Sequence, residues 1–232
     1  MSDASISIPN PDDSSTDAAT RDLPAKDSAK SLRTRARILD CAAQLLAEIG
    51  HAAATNARIA EAAGLTRGAM LYHYPTREAL IEDLVDHLQA QRIAMLAEAS
   101  DRAPTGADLA EHAIDAYWDL LHQAPFIAFA ELETAGRTDP AVHEALSRAQ
   151  AAFDQAQVGL QSSHMLQAGS GPRFQASRDL ARFMLEGLAR AELTYDADAR
   201  IERLLAVIKR ATHMLNRKGV EQDLWPEEPG GR

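Results

Sequence analysis

The chain has 232 residues, of which 46% are hydrophobic and 25% charged, and its formal net charge is −10 at pH 7. This length suits one or two domains. No apolar run approaches the ~20 residues that span a bilayer, and the N-terminus lacks the basic-then-apolar order of a secretory signal. A single cysteine excludes an internal disulfide, so we expect a cytoplasmic protein without membrane contact.

Charge is unevenly distributed along the chain. Residues 1–29 hold two basic and six acidic side chains, giving −4, whereas residues 30–77 hold seven basic and three acidic, giving +4. The remaining residues, 78–232, hold fifteen basic and twenty-five acidic, giving −10. A basic segment in an acidic chain indicates a local contact with phosphates, while the acidic remainder argues against non-specific coating of nucleic acid.

The N-terminal region divides into a tail and a first helix. Residues 1–30 are rich in Ser, Asp, Pro and Thr, which predicts a disordered tail. A helix is predicted from Ser31 to Ile49, ended by Gly50. Cys41 lies on this helix beside apolar residues, which favours a small buried side chain over a redox sensor. Basic residues around the helix start suit phosphates or a minor groove, although a solvated helix start has the same pattern: Lys30, Arg33, Arg35 and Arg37.

The most informative segment is TNARIAEAAGLTRGAMLYHY, from Thr55 to Tyr74. Thr55 and Thr66 are favoured N-caps of two short helices, and helix starts also suit phosphates. Gly64 can adopt the left-handed conformation that ends a helix, and Leu65 can fill the angle between the two helices. This spacing predicts a helix-turn-helix for DNA, while a plain helical hairpin of a core remains the alternative.

The second helix mixes small side chains with long ones. Gly68 and Ala69 allow close approach to a groove, and Arg67 can donate two hydrogen bonds to guanine. Tyr72 and His73 can reach backbone oxygens.

Residues Arg33 to Leu84 resemble the N-terminal domain of tetracycline-repressor (TetR) family regulators over about fifty residues without a gap. The resemblance rests on RARIL, the Glu48 and Gly50 pair, IAEAAGLTRGAM and YHYPTREAL. It implies an all-α homodimer with a three-helix DNA-binding head, a long fourth helix and a helical ligand-binding domain. It also implies that eight residues face DNA: Thr55, Thr66, Arg67, Gly68, Ala69, Tyr72, His73 and Arg77. To these we add Arg33, Arg35 and Asn56 as candidate DNA contacts.

Two positions depart from the family pattern. Leu71 stands where the family often has a tyrosine, so a phosphate-contacting hydroxyl is missing or its role has moved to Tyr72. Arg77 stands where lysine is usual, which keeps the charge and adds the planar fork of donors of a guanidinium.

After the head, only helical patterns follow. Helices are predicted from Pro75 toward Leu96, over 107–123, 125–135, 140–165, 173–194 and 198–218. Four segments result: the tail at 1–30, a DNA-binding domain at 31–77, an effector-binding and dimerisation domain at 78–218 and a loose tail at 219–232.

The last two helices each carry an apolar stripe. The stripes suit either the core of one subunit or a four-helix dimer interface, and the resemblance favours the interface. The residues concerned are Leu180, Phe183, Met184, Leu188, Ala191, Ile201, Leu204, Leu205, Ile208 and Leu215. A two-fold dimer would present two reading helices to successive major grooves, which predicts a palindromic operator.

The helices between head and stripes are expected to enclose an apolar or aromatic effector if the resemblance holds, although most of these residues also suit a plain core. The candidate lining residues are Tyr117, Trp118, His122, Phe126, Phe129, Glu133 and Phe153. A stripe of His112, Asp115, Asp119 and His122 resembles a metal site but equally fits the solvated face of a helix, and we expect no metal and no cofactor.

An enzyme is the remaining class. The chain has no phosphate loop, no H-E-x-x-H, no G-x-S-x-G and no zinc-spaced cysteines, although acid-base pairs from distant helices leave no local motif. We expect a ligand-responsive DNA-binding regulator, most simply a repressor. The alternative is a helical dimer of the same fold that acts through protein or ligand contact without reading DNA.

Overall fold

The computed structural model describes residues 29–103, 108–160, 172–195 and 198–216. These residues form helices and connecting turns without a strand, which confirms the predicted all-α class. Within the described parts, no helix is both long and apolar enough to cross a membrane. The helices are α1 (Ala29–Ala53), α2 (Asn56–Ala62), α3 (Arg67–His73), α4 (Arg77–Asp101), α5 (Leu109–Leu121), α6 (Ala124–Gly136), α7 (Pro140–Leu160), α8 (Pro172–Ala191) and α9 (Asp198–Asn216).

The helix boundaries differ little from those predicted. α1 begins at Ala29, so the last two residues of the predicted tail belong to a helix; the rest of that tail and all of the predicted tail at 219–232 lie outside the described residues. Gly50 interrupts α1 with φ 77° and ψ 162°, and a short helical turn follows it. The expected break at this glycine is therefore present, although the chain resumes helical geometry directly after it.

The three N-terminal helices share a core with elements much later in the chain. Ile38, Leu46, Ile59 and Met70 are fully buried, and the same cluster continues through Leu84 of α4. It then takes in the inner faces of α6 and the first half of α7: Ala128, Phe129, Leu132, Val142, Ala145, Leu146 and Ala149. Because one apolar core crosses the predicted domain boundary near residue 77, a shift of α4 or α6 cannot leave the head undisturbed.

A second apolar cluster lies between α5, α6, α7, α8 and α9. Its buried members include Ile114, Tyr117, Phe126, Phe153 and Leu185. The later half of α4 packs on this cluster through Ile93, Met95 and Leu96. α4 thus contacts both clusters, as do α6 and α7.

Candidate nucleic-acid interface and effector site

The turn between α2 and α3 is fixed by backbone hydrogen bonds. Gly64 has φ 63°, as predicted, and its N–H donates to the Glu61 carbonyl at 2.9 Å. The Leu65 N–H donates to the Ala60 carbonyl at 2.8 Å. These two bonds are the Schellman arrangement that ends a helix at a left-handed residue. The angle between the two short helices therefore follows from one glycine.

Both predicted N-caps are formed. The Thr55 hydroxyl accepts from the Arg58 N–H at 3.4 Å, and the Thr66 hydroxyl accepts from the Ala69 N–H at 3.2 Å. A third cap, at Thr76, accepts from the Ala79 N–H at 3.2 Å and begins α4. These hydroxyls remain on the surface, because Thr55, Thr66 and Thr76 are all exposed.

α3 has a buried side and an outward side. Met70 is 1% exposed and anchors the helix in the head core. Arg67, Gly68, Leu71 and Tyr72 are exposed, Tyr72 to 80%. Ala69 and His73 are half-buried between these two sides, and the His73 ring packs edge-on against Tyr72 with centroids 5.2 Å apart. The residues predicted to face DNA on this helix thus share one accessible surface.

Other predicted contacts lie at the edges of this surface. Arg77 is half-buried and donates from Nη1 to Asn56 Oδ1 at 3.1 Å, which joins the start of α4 to the start of α2. Burial lowers the pKa of the Arg77 guanidinium. Arg33 is exposed on α1, whereas Arg35 is half-buried with its guanidinium carbon 5.9 Å from the Tyr74 ring centroid.

The sequence prediction did not include Arg58, which is exposed on α2 two residues beyond Asn56. The sequence signal that could have found Arg58 was a basic side chain in the first turn of α2, between the Thr55 cap and the apolar Ile59. Tyr74, at the end of α3, belongs to the head core and not to the exposed surface. It is 2% exposed and its hydroxyl donates to Asp83 Oδ2 at 3.0 Å. Burial, with the adjacent Asp83 carboxylate, raises the pKa of Tyr74.

The predicted dimer stripe separates into two faces. Leu188, Ile201 and Ile208 are 5–8% exposed in the core of the subunit, so they are not available to a partner. Met184 and Leu205 pack at the edge of that core, and Ala191 and Leu215 are half-buried. Exposed apolar side chains remain on α8, α9 and the turn after α8. Three of them belong to the predicted stripe: Leu180, Phe183 and Leu204. Four others were not predicted: Leu193, Tyr195, Val207 and Met214.

The predicted effector residues surround a charged group that was not predicted. Arg92 of α4 is 4% exposed, and its guanidinium carbon lies 3.8 Å from the Phe129 ring centroid, 4.4 Å from Phe153 and 5.1 Å from Phe126. Tyr117 is also buried and donates to Glu186 Oε1 at 2.9 Å. Arg92 continues the buried α4 stripe of Leu84 and Leu88 at intervals of four, and this spacing was the signal that could have found it.

The polar residues predicted to anchor an effector lie further out. His122 is 44% exposed and pairs with Glu192 at 2.8 Å, beside Trp118. Glu133 is 44% exposed, pairs with Arg190 at 3.1 Å, and lines a surface groove of about 460 Å³ with Glu186. Burial and the neighbouring Glu186 raise the pKa of Glu133. These residues therefore border the aromatic cluster, and the Glu133 carboxylate acts electrostatically on Arg92 at its centre.

The possible metal stripe on α5 is divided among separate contacts. His112 lies 3.2 Å from the Ala99 carbonyl, Asp115 pairs with Lys209, and His122 pairs with Glu192. In the described parts of the chain, no group of three or more metal-ligating side chains comes together.

Comparisons with known proteins agree with this geometry. Residues 38–84 match the family model for bacterial regulatory proteins of the tetR family. Over 62 residues, the chain is 36% identical to the HTH-type transcriptional repressor KstR2 of Rhodococcus jostii (strain RHA1). This match covers 27% of the chain and only 30% of that repressor.

Solved structures extend the likeness to most of the chain. A transcriptional regulator of Streptomyces coelicolor A3(2), SCO7518, is 25% identical with a TM-score of 0.54, over 78% of this chain and 98% of that one. A TetR-family regulator of Cytophaga hutchinsonii is 16% identical with a TM-score of 0.64, over 81% and 96% of the two chains. The second similarity concerns the fold alone.

Proposed function

We propose that the chain is a DNA-binding transcriptional repressor of the tetR family of bacterial regulatory proteins, whose family model residues 38–84 match. It acts as a homodimer on a palindromic operator and is released by a small-molecule effector. The observation that carries the proposal is the outward face of α3, which presents Arg67, Gly68 and Tyr72 from a helix anchored by Met70. This face lies in the segment 30–77, whose net charge is +4 while the segments on either side are negative.

The face of α3 has the chemistry of a major-groove reader. Arg67 supplies two parallel donors that match guanine O6 and N7, and Gly68 leaves room for the helix to approach the bases. The exposed Tyr72 hydroxyl can donate to a phosphate oxygen, which would offset the missing hydroxyl at Leu71. Arg33 and Arg58 extend the basic surface on either side, where contacts with phosphates add affinity without sequence preference.

The exposed face of α8 and α9 supports dimerisation. Phe183 and Val207 are 56% and 59% exposed, and an apolar surface of this kind favours burial against a second copy. Phe183→Glu should convert the dimer to a monomer in analytical ultracentrifugation, because burial of a carboxylate without a partner is unfavourable. Leu32→Glu, at a leucine 54% exposed on α1, is the matched control and should remain dimeric.

Effector binding can reach the head through α4 and α6. Glu131 of α6 accepts from the His51 N–H at 3.2 Å, directly after the interruption of α1 at Gly50. A Cβ at Gly50 would lie 3.2 Å from this carboxylate, so the two elements are in close contact. An effector that binds better when α4 or α6 is displaced would stabilise the form that does not fit two successive grooves.

Fluorescence anisotropy with an operator duplex and its single-base variants tests the proposed reader. Arg67→Ala should weaken binding by ~1–3 kcal/mol and relax discrimination at one base pair. Arg148→Ala is the matched control, because Arg148 is an exposed arginine of α7 that pairs with Glu82 and is not part of the outward face of α3. Equal losses on every sequence would reject the role of Arg67, and no binding by the unmodified protein would favour a helical dimer that acts without DNA.

A further inference from the structure

The aromatic cluster encloses a cation that has no directly bound anion. The carboxylates of Glu133 and Glu186 stabilise its charge only at longer range, and the Tyr117 hydroxyl adjoins it. The Arg92 guanidinium is stacked among the rings of Phe126, Phe129 and Phe153, and its Nη1 donates to Gln89 Oε1 at 3.0 Å. No carboxylate of the described residues forms an ion pair with it. Arg182, by contrast, pairs with Asp154 at 2.9 Å.

Two donors at this point have no acceptor among the residues that the structure describes. Arg92 Nε and Gln89 Nε2 are both buried without a hydrogen-bond partner, and both residues are 4% exposed. The amide oxygen of Gln89 already accepts from Arg92, which leaves its nitrogen as a second donor beside the guanidinium. Buried donors are normally paired, and a buried cation is unfavourable without a directly bound anion, although the aromatic rings and the more distant carboxylates offset part of this.

We propose that Arg92 and Gln89 recognise the carboxylate of an anionic effector, whose apolar body lies against Phe126, Phe129 and Phe153. A carboxylate has two acceptor oxygens, which matches two neighbouring donors, and a bond to a guanidinium is among the strongest hydrogen bonds in proteins. The term effector rests on the proposed function, but the binding itself does not require DNA.

The location gives this site a direct connection to the head. Gln89 and Arg92 lie on α4, which begins at Arg77 against α2 and carries Leu84 in the head core. An anion bound to these two side chains acts on the same helix that positions the DNA-binding surface. Phe129 lies two residues before Glu131, so the ring that stacks on Arg92 and the carboxylate that contacts His51 belong to one turn of α6.

Ligand-dependent thermal stabilisation tests the proposal with matched probes. Phenylacetate is compared with phenylethanol and octanoate with octanol, in buffers of equal ionic strength. Each carboxylate should bind about tenfold or more tightly than its alcohol, because the charged hydrogen bonds are absent from the alcohol. Arg92→Met should remove this preference while retaining binding of the alcohols. Arg148→Met, which removes an exposed arginine, should keep it.

Equal binding of carboxylates and alcohols, no stabilisation by either carboxylate, or an unchanged preference in Arg92→Met would each overturn the proposal. Should Arg92→Met fail to fold, Arg92→Gln removes the same charge and Gln89→Leu removes the second donor, and either must reduce the preference. Operator binding of the same preparations separates the two proposals. Intact operator binding without carboxylate preference rejects only the anion site, whereas carboxylate preference without operator binding rejects only the regulator.

Discussion

Replacement of two glycines in the helix-turn-helix should change stability in opposite directions. Gly64 has φ +63°, and a Cβ at this position would meet nothing within 4 Å, so Gly64→Ala introduces backbone strain without a steric clash. For an L-residue the left-handed conformation is unfavourable by roughly 1–2 kcal/mol. Alanine also reduces the entropy of the unfolded chain, which returns about 0.4–1 kcal/mol. We therefore expect a net loss of about 1 kcal/mol.

Gly68 is the matched control. Its Cβ would also meet nothing within 4 Å, but it lies inside α3 without a positive φ. Gly68→Ala should raise the free energy of unfolding by roughly 0.5–1 kcal/mol, because alanine is the better helix former. The same methyl group would project from the exposed face of α3. Gly68→Ala should thus weaken operator binding by about tenfold or more while it stabilises the fold.

Urea unfolding at one fixed protein concentration measures the stabilities, and fluorescence anisotropy measures the affinity. Gly64→Asn should lose less stability than Gly64→Ala, because asparagine tolerates the left-handed region. The reasoning is refuted if the midpoints of Gly64→Ala and Gly68→Ala shift in the same direction. Full operator affinity in Gly68→Ala would remove this face of α3 from the DNA contact.

Three further substitutions test single contacts. Thr66→Ala should destabilise the protein by about 0.5–2 kcal/mol in urea unfolding, and Thr66→Ser should recover most of this; an unchanged midpoint in Thr66→Ala would mean that the cap contributes nothing. Glu131→Ala should lower stability by about 1 kcal/mol, because it removes the acceptor of the His51 N–H, and Glu131→Gln should be milder; equal effects would contradict this. Burial lowers the pKa of His122, but Glu192 and the Trp118 carbonyl raise it overall. The stabilisation by this pair is therefore present below about pH 6.5 and is lost as the pH rises through the raised pKa of His122. Unfolding at several pH values should show a difference in stability of under about 1 kcal/mol between the protein and His122→Gln, and this difference should vanish at high pH.

The head could be predicted closely from sequence because its determinants are local. Thr55, Gly64 and Thr66 act through hydrogen bonds to backbone atoms a few residues away, so residue type and spacing were sufficient. The interruption at Gly50 was also visible from its position. The contact of the Glu131 carboxylate with the His51 N–H at this interruption could not be predicted, since it joins residues eighty positions apart.

The effector region was predicted only in outline. The sequence pattern identified aromatic residues that lie near one another in the fold. The periodicity of single helices, however, does not show which side chain from another helix lies between the rings. Arg92 occupies it, and only its place on the buried face of α4 indicated this. Similarly, the apolar residues of α8 and α9 cover more of each helix than packing in the subunit core requires. Leu188 and Ile208 therefore turned out to serve the subunit core, while Phe183 and Val207 face outward.

Selection of bound sequences from a random pool of DNA duplexes, with the purified full-length protein, tests the central claim most directly. The account predicts enrichment of an inverted repeat whose half-sites are centred about one helical turn apart, because two copies of α3 would enter successive major grooves. Arg67→Ala should lose preference at one position in each half-site. Enrichment of no sequence, or of a single half-site without its inverted copy, would contradict the account.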